Sequence, residues 1–357
     1  MAPVMDGQGL IALPGIVDMH GDMIEPEIQP RPGVFFPTDL ALFELDKRLA
    51  ASGITTAYTA LSLIGDEWPD KADIRSLTVV RDIVTQVNAL RESLLIDWYV
   101  HARLEISTPS VLPLLRELLT TGQVHLLSLM DHTPGQGQYA DIDRYIAELA
   151  QARRTHQDDL VTSIYAHIER MRDAVQHWED AREMALLAHA QGIAVASHDD
   201  DTVAKLDLMS HLGVRICEFP ISLLMAQQAR ERGLAVVMGA PNLLRGVSHS
   251  GNLGAREAIA AGVVDILASD YYPAALLQAV FWLERHGMLP LHKASRLVSG
   301  GPARALGLDD RGALQCGARA DMVLVEPLER PRVRATLRNG QFIYGDRVLF
   351  QRLGVEH

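Results

Sequence analysis

Eight short runs rich in Val, Ile and Leu recur along the chain, at residues 15–20, 54–61, 94–106, 124–131, 193–198, 214–219, 234–239 and 263–270. Stretches with helical spacing of their apolar positions lie between them, at 37–52, 74–92, 109–121, 201–212, 221–232, 253–261 and 273–286. Strands separated by helices pair in parallel, because the helix carries the chain back over the sheet. Eight such units close into a (β/α)8 barrel of the TIM type, an α/β fold. The gap from 132 to 192 is longer than the others and reads as two or three charged helices inserted over the barrel mouth, around 139–191.

After Pro302-Ala-Arg-Ala-Leu-Gly307 the rhythm changes. Residues 312–317, 321–325, 333–339 and 341–350 read as short strands broken by turn residues, with Asn339-Gly340 as a hairpin turn, and 4–12 as their N-terminal companion. The expected organisation is a barrel over 13–306, flanked by a small β-domain made of 1–12 with 307–357.

In such a barrel the groups that do chemistry sit where strands end. The first run, Leu13-Pro-Gly-Ile-Val-Asp-Met-His20-Gly-Asp22, ends on a His-x-Asp pair. Residues two apart on a strand share a face, so one imidazole and one carboxylate can grip a single ion, and that pairing suits zinc, manganese or iron better than calcium. The third run offers His101, Arg103 and Glu105 in alternation; the fourth ends in Asp131-His132, the fifth in His198-Asp-Asp-Asp201, the sixth in Glu218 and the eighth in Asp270. His198 reads as a ligand. Asp131 and the three aspartates Asp199 to Asp201 read as helix caps or as groups orienting the histidines. His101 is balanced between ligand and core histidine satisfied by backbone. Glu218 would orient a ligand or pair with Arg215.

A second group follows the seventh run: Gly239-Ala-Pro-Asn-Leu-Leu-Arg-Gly-Val-Ser-His-Ser-Gly-Asn252. Backbone amides, hydroxyls, Arg245 and His249 just before a helix would form an anion cradle, the alternative being a flexible loop with no anion. Pro30-Arg31-Pro32-Gly33 holds a further arginine near the first strand end.

Bulk properties narrow the partners. The 357 residues carry a formal net charge of −12, which argues against nucleic acid, since binding there depends on neutralising phosphates with Lys and Arg. Two cysteines, Cys217 and Cys316, form no disulfide framework, and no apolar run reaches the ~20 residues of a membrane span. With no signal-peptide pattern at the N-terminus, the expectation is a soluble, cytoplasmic protein.

These residues resemble the amidohydrolase superfamily and, within it, a subgroup of triphosphate diphosphatases used in phosphonate metabolism. The resemblance covers nearly the whole chain. It rests on His20-x-Asp22 with Pro30-Arg-Pro, Ser52-Gly-Ile-Thr-Thr56, Arg103-x-Glu105, Met130-Asp-His-Thr-Pro-Gly-Gln136 and Ala196-Ser-His-Asp-Asp200. Met238-Gly-Ala-Pro-Asn242, Ser248-His-Ser-Gly-Asn252 and Ser269-Asp-Tyr-Tyr-Pro273 extend it. Two departures stand out: the superfamily's usual His-x-His is His-x-Asp here, as in the subgroup, and Val247 replaces a glycine of the anion loop.

The resemblance implies a centre of one or two divalent metal ions, zinc foremost with manganese or iron as alternatives. His20, Asp22, Glu105, His132, His198 and Asp270 would hold it, with Glu105 bridging and Asp270 also acting as the catalytic base. Arg31, Arg103, Arg245, Ser248, His249, Ser250 and Asn252 would bind a phosphorylated small-molecule substrate. The implied reaction cuts a ribose triphosphate to a ribose monophosphate and pyrophosphate. The rivals are hydrolysis of a C–N bond, as in a deaminase or deacylase, and a non-catalytic role in a phosphonate-processing complex. Barrels of this class are often dimers, which makes a homodimer an expectation.

Overall fold

The computed structural model describes residues 7, 9–65, 73–133, 174–248 and 251–352, with a few positions between 142 and 165. Among them are two sheets. The larger runs β2 (Ile16–Gly21), β3 (Ile54–Leu63), β4 (Asp97–Glu105), β5 (Leu126–Met130), β6 (Ala194–His198), β7 (Ile216–Glu218), β8 (Ala235–Gly239) and β9 (Ile266–Ala268). Every neighbouring pair in it is parallel, in sequence order. The barrel closes at a seam where Gly21 bridges Asp270: the Asp270 amide donates to His20 O at 2.9 Å and the Asp22 amide to Asp270 O at 3.0 Å. Asp18, fully buried beneath it, accepts from the Ser269 amide at 3.1 Å and from the Ser269 hydroxyl.

Alternation along the strands sorts side chains into two layers. On β4, Trp98, Val100, Ala102 and Leu104 join the large cluster under the helices, while His101, Arg103 and Glu105 face the barrel interior. A smaller cluster fills that interior: Met19, Tyr58, Leu126, Ala196, Ile216, Val237, Ile266 and Ala268. The register of β2 shifts between Asp18 and Gly21. Such an irregularity re-aims side chains, and it lets Met19 and His20, neighbours in sequence, both turn inward.

The helices follow from the same patterning. In Leu112–Thr120, Leu114, Leu115, Leu118 and Leu119 fall on one buried stripe while Arg116 and Glu117 stay outside. Ser76, Thr202 and Ser222 cap the helices that start after them, each side chain accepting from the amide three residues on. Of the expected insertion around 139–191, the helix Ala174–Ala190 is described. The remainder falls largely outside the described residues. No helix among the described residues is long and apolar enough to cross a membrane.

The smaller sheet is antiparallel, in the order β1 (Ile11–Pro14), β10 (Met322–Glu326), β11 (Arg332–Arg338) and β12 (Gln341–Gly345). Asn339 and Gly340, both at positive φ (50° and 76°), make its hairpin turn. It rests on the barrel's first long helix, Thr38–Ala51, where Thr336 Oγ1 donates to Ala50 O at 2.7 Å. Two strand expectations are corrected. Residues 312–317 form turns, since Gly312 and Gly317 bracket the segment at φ 88° and 89°. Residues 341–350 split, because Asp346 accepts from the Leu349 amide and starts the helix Arg347–Arg352.

Candidate metal centre

The C-terminal ends of the barrel strands bring together the groups named from sequence. Buried His20, His101 and His198, with the partly exposed His132, gather around two carboxylates. Glu218, at the end of β7, is fully buried; its Oε1 lies 3.0 Å from His20 Nδ1 and its Oε2 3.3 Å from His198 Nδ1. Glu105, at the end of β4, places Oε2 3.0 Å from His132 Nδ1 and accepts from the His132 amide and the Ser107 hydroxyl. Arg103, on the same face of β4, reaches His198 Nε2 with Nη2 at 3.3 Å and Ser62 Oγ with Nη1 at 3.5 Å. Asp22 and Asp270 flank the closing seam beside His20.

Backbone strain marks the same rim. Asp199, Phe219 and Asp270 directly follow or lie just beyond the ends of β6, β7 and β9, and all three have positive φ, 50°, 53° and 56°. Non-glycine residues take that conformation at a cost and hold it where the surroundings enforce it.

The titrations separate by environment. Burial pushes His198 down to about 4, against the pull of Asp199 and Glu218. Burial also pushes His132 down, but the nearby carboxylates of Asp199 and Glu105 outweigh it and raise the ring to about 9. Burial raises Glu218, yet His20, His101 and the bonds from His198 and His20 hold it well below the usual carboxylate range. Asp270 and Asp22 are both raised, by burial first, and Asp22 further by the like charge of Asp270.

Such a centre fits a divalent cation. Two sets of three donors, His20, His101 and Glu218, and His132, His198 and Asp199, each have ligand atoms within 4.8 Å of one another. Asp199 Oδ2 is buried, faces His132 Nε2 at 3.5 Å and His198 Nε2 at 3.8 Å, and among the described residues has no hydrogen-bond partner; His101 Nδ1 is likewise buried and without one among them. Buried polar atoms left in this way are costly unless an ion or water satisfies them. Imidazole nitrogen and carboxylate oxygen without thiolate is a donor set for zinc, manganese or iron.

The structure decides between the sequence alternatives. Of the two readings of Asp199 to Asp201, the cap falls to Thr202, while Asp199 faces the histidines and Asp200 accepts from Ser197 and, at 3.0 Å, from Cys217 Sγ. His101 meets a side chain, Ser128 Oγ at 2.6 Å, and not backbone. Glu218 does not pair with Arg215, because Arg215 lies exposed just before β7 while Glu218 at its end is buried. His101, Asp199 and Glu218 thus stand in the same cluster as the residues expected to hold the metal.

In the segment expected to cradle an anion, residues 240–245 fold as a short helix, Ala240–Arg245, ended by Gly246 at φ 81°. Arg245 is exposed at the rim and donates to Tyr271 Oη at 3.2 Å, next to Asp270. Ser248 and Asn252 are half-buried, Val247 is exposed, and His249 and Ser250 lie outside the described residues. Arg31 is exposed on the turn that bridges it to Val34.

Comparison with known proteins places this architecture. A family model described as the amidohydrolase family matches residues 114–344. The chain is 38% identical over 326 residues, 90% of its length and 84% of the relative's, to the alpha-D-ribose 1-methylphosphonate 5-triphosphate diphosphatase of Escherichia coli (strain K12). Among solved structures it is similar to the dihydropyrimidinase of Brevibacillus agri NCHU1002, with a TM-score of 0.55, 14% identity, and coverage of 96% of this chain and 86% of that one. The D-hydantoinase of Bacillus sp. AR9 gives a TM-score of 0.55 at 15% identity, covering 95% and 87%. Those two likenesses concern the fold. By the family match over most of the barrel and the long alignment to a curated relative, this chain belongs to the amidohydrolase family.

Proposed function

We propose that this chain is a metal-dependent hydrolase that cleaves alpha-D-ribose 1-methylphosphonate 5-triphosphate to the 5-phosphate and pyrophosphate. The observation that carries the reading is the 38% identity with a diphosphatase of that substrate, sustained over 90% of the chain. The rim chemistry supports it: a cluster of imidazoles and carboxylates with cationic Arg103 inside and Arg245 above.

His20, Asp22, Glu105, His132, His198 and Asp270 would hold the metal, with zinc foremost. When bound, such a cation polarises phosphoryl oxygens and makes water more acidic. Asp270 takes the proton of the attacking water on its carboxylate and passes it to the leaving pyrophosphate. Arg103 and Arg245, with Arg31, Ser248 and Asn252, neutralise and orient the polyphosphate as charge shifts toward the leaving oxygen. His249 and Ser250 belong to the same proposed set. The working assembly is a cytoplasmic homodimer in this reading.

Phosphorus NMR on metal-reconstituted protein tests it, with the ribose triphosphate as substrate and ATP as control. Pyrophosphate appearing with a ribose monophosphate is the expected result. No turnover with metal demonstrably bound would refute it and point to C–N bond hydrolysis.

A further inference from the structure

Glu218 divides its carboxylate between two rings, with Oε1 3.0 Å from His20 Nδ1 and Oε2 3.3 Å from His198 Nδ1. The two imidazoles stack with centroids 5.6 Å apart and planes 18° from parallel. An ionised carboxylate only accepts hydrogen bonds, so each Nδ1 that meets it carries the ring's proton. The other nitrogen, Nε2, is then a bare lone pair. His198 shows this independently: its Nε2 faces Arg103 Nη2 at 3.3 Å, and a guanidinium only donates. Ser128 completes the arrangement, donating its hydroxyl to Glu218 Oε2 at 2.7 Å while its oxygen lies 2.6 Å from His101 Nε2.

We propose that Glu218 is a positioning residue: a single carboxylate that fixes His20 and His198 together as Nδ1–H tautomers and aims both Nε2 lone pairs at the metal. This rests on the metal-centre reading above. A neutral imidazole ligates through the nitrogen that lacks the proton, and the partner of the other nitrogen decides which one that is. One group doing this for two ligands at once couples them, so losing its charge affects both rings.

Glu218→Gln is the discriminating variant. A carboxamide has one acceptor and one donor face, so only one ring keeps its partner and the other must change tautomer or lose the bond. Long-range proton–nitrogen correlation on metal-free protein with labelled histidine reads the tautomers directly, assigned through His20→Asn and His198→Asn. The wild type should show both rings as Nδ1–H, and Glu218→Gln should convert at least one to Nε2–H. Cobalt(II) affinity should fall ~10- to 100-fold, the usual consequence of removing a partner behind a metal ligand. Glu218→Asp, still acceptor-only, should keep both tautomers and recover most of the affinity. Unchanged tautomers with unchanged affinity in Glu218→Gln would overturn the proposal. So would loss of one cobalt equivalent with tautomers unchanged, which would make Glu218 a ligand. If Glu218→Gln does not fold, the wild-type spectrum decides, and an Nε2–H ring at His20 or His198 overturns the assignment. A wild type that takes up no cobalt refutes the metal-centre reading instead, whatever the tautomers show.

Discussion

Replacing Asp18 tests whether the barrel seam positions the chemistry. Asp18 is fully buried, and its carboxylate accepts from the Ser269 amide at 3.1 Å, the Ser269 hydroxyl, and more weakly the His20 amide at 3.4 Å. Ser269 precedes Asp270, and His20 accepts from the Asp270 amide, so this one side chain ties together two strands that carry proposed ligands. Asp18→Ala strands two well-placed donors, each costing ~1–3 kcal/mol when buried without a partner. Part of that returns, because burial raises the Asp18 carboxyl despite the bonds from Ser269 and His20, a sign that holding its charge is itself costly. The net loss should be about 2–4 kcal/mol, a drop in Tm on the order of 4 °C for a chain of this size. Loosening the seam should also misplace His20 against Asp270, and a shift of ~1 Å in such a site costs ~100-fold in rate. Asp18→Asn, which keeps one acceptor and no charge, should stay within ~1 kcal/mol of wild type while still slowing turnover. Circular-dichroism melts and steady-state hydrolysis read the two effects. Wild-type stability and kcat in Asp18→Ala would show that the backbone bonds alone hold the seam.

Three further outcomes are expected. Asp270→Asn should lower kcat by ~10²- to 10⁴-fold while retaining metal by elemental analysis, and normal turnover would remove Asp270 as the base. Arg245→Ala should raise KM for the triphosphate by ~10-fold or more, the worth of a charge-assisted contact, yet leave hydrolysis of an uncharged amide unaltered; equal effects on both would dissociate it from phosphate. His125 faces two donors, the Val100 amide at Nδ1 and Arg91 at Nε2, both at 3.2 Å, and burial foremost, then Arg91, pushes the ring from 6.5 down to about 4. The unfolded chain therefore takes up this proton first as pH falls. Stability contributed by the neutral ring is complete above pH 6.5 and lost between there and about 4, up to about 3 kcal/mol. His125→Gln should flatten that part of the stability–pH curve, and an unchanged slope would count against the assignment.

Much of this protein was legible along the chain. All eight barrel strands were placed, because a strand buried on both faces must be apolar and short, and because helices of a barrel must carry their apolar residues on one stripe. The interior direction of His101, Arg103 and Glu105 followed from alternation, a property of any extended strand. The misplaced strand at 312–317 failed for a local reason: nothing in its composition overrode two glycines that take positive φ.

Partner choice across strands needed three dimensions. That Glu218 meets His20 and His198, 198 and 20 residues away, depends on where β2, β6 and β7 stand around a closed barrel. Spacing along the chain carries no such information. Asp199 is the sharper case. An aspartate just before a helix has two good fates, capping the helix or facing the site, and local chemistry favours the first. Thr202 already satisfies the helix, the backbone at Asp199 is held at φ 50°, and the carboxylate turns to the two imidazoles opposite. Strand order, helix faces and the rim's stock of imidazole and carboxylate are properties of local pattern, which the chain carries in one dimension. Which oxygen faces which nitrogen is fixed only when the barrel closes, because those distances are set by strands brought together from opposite ends of the chain.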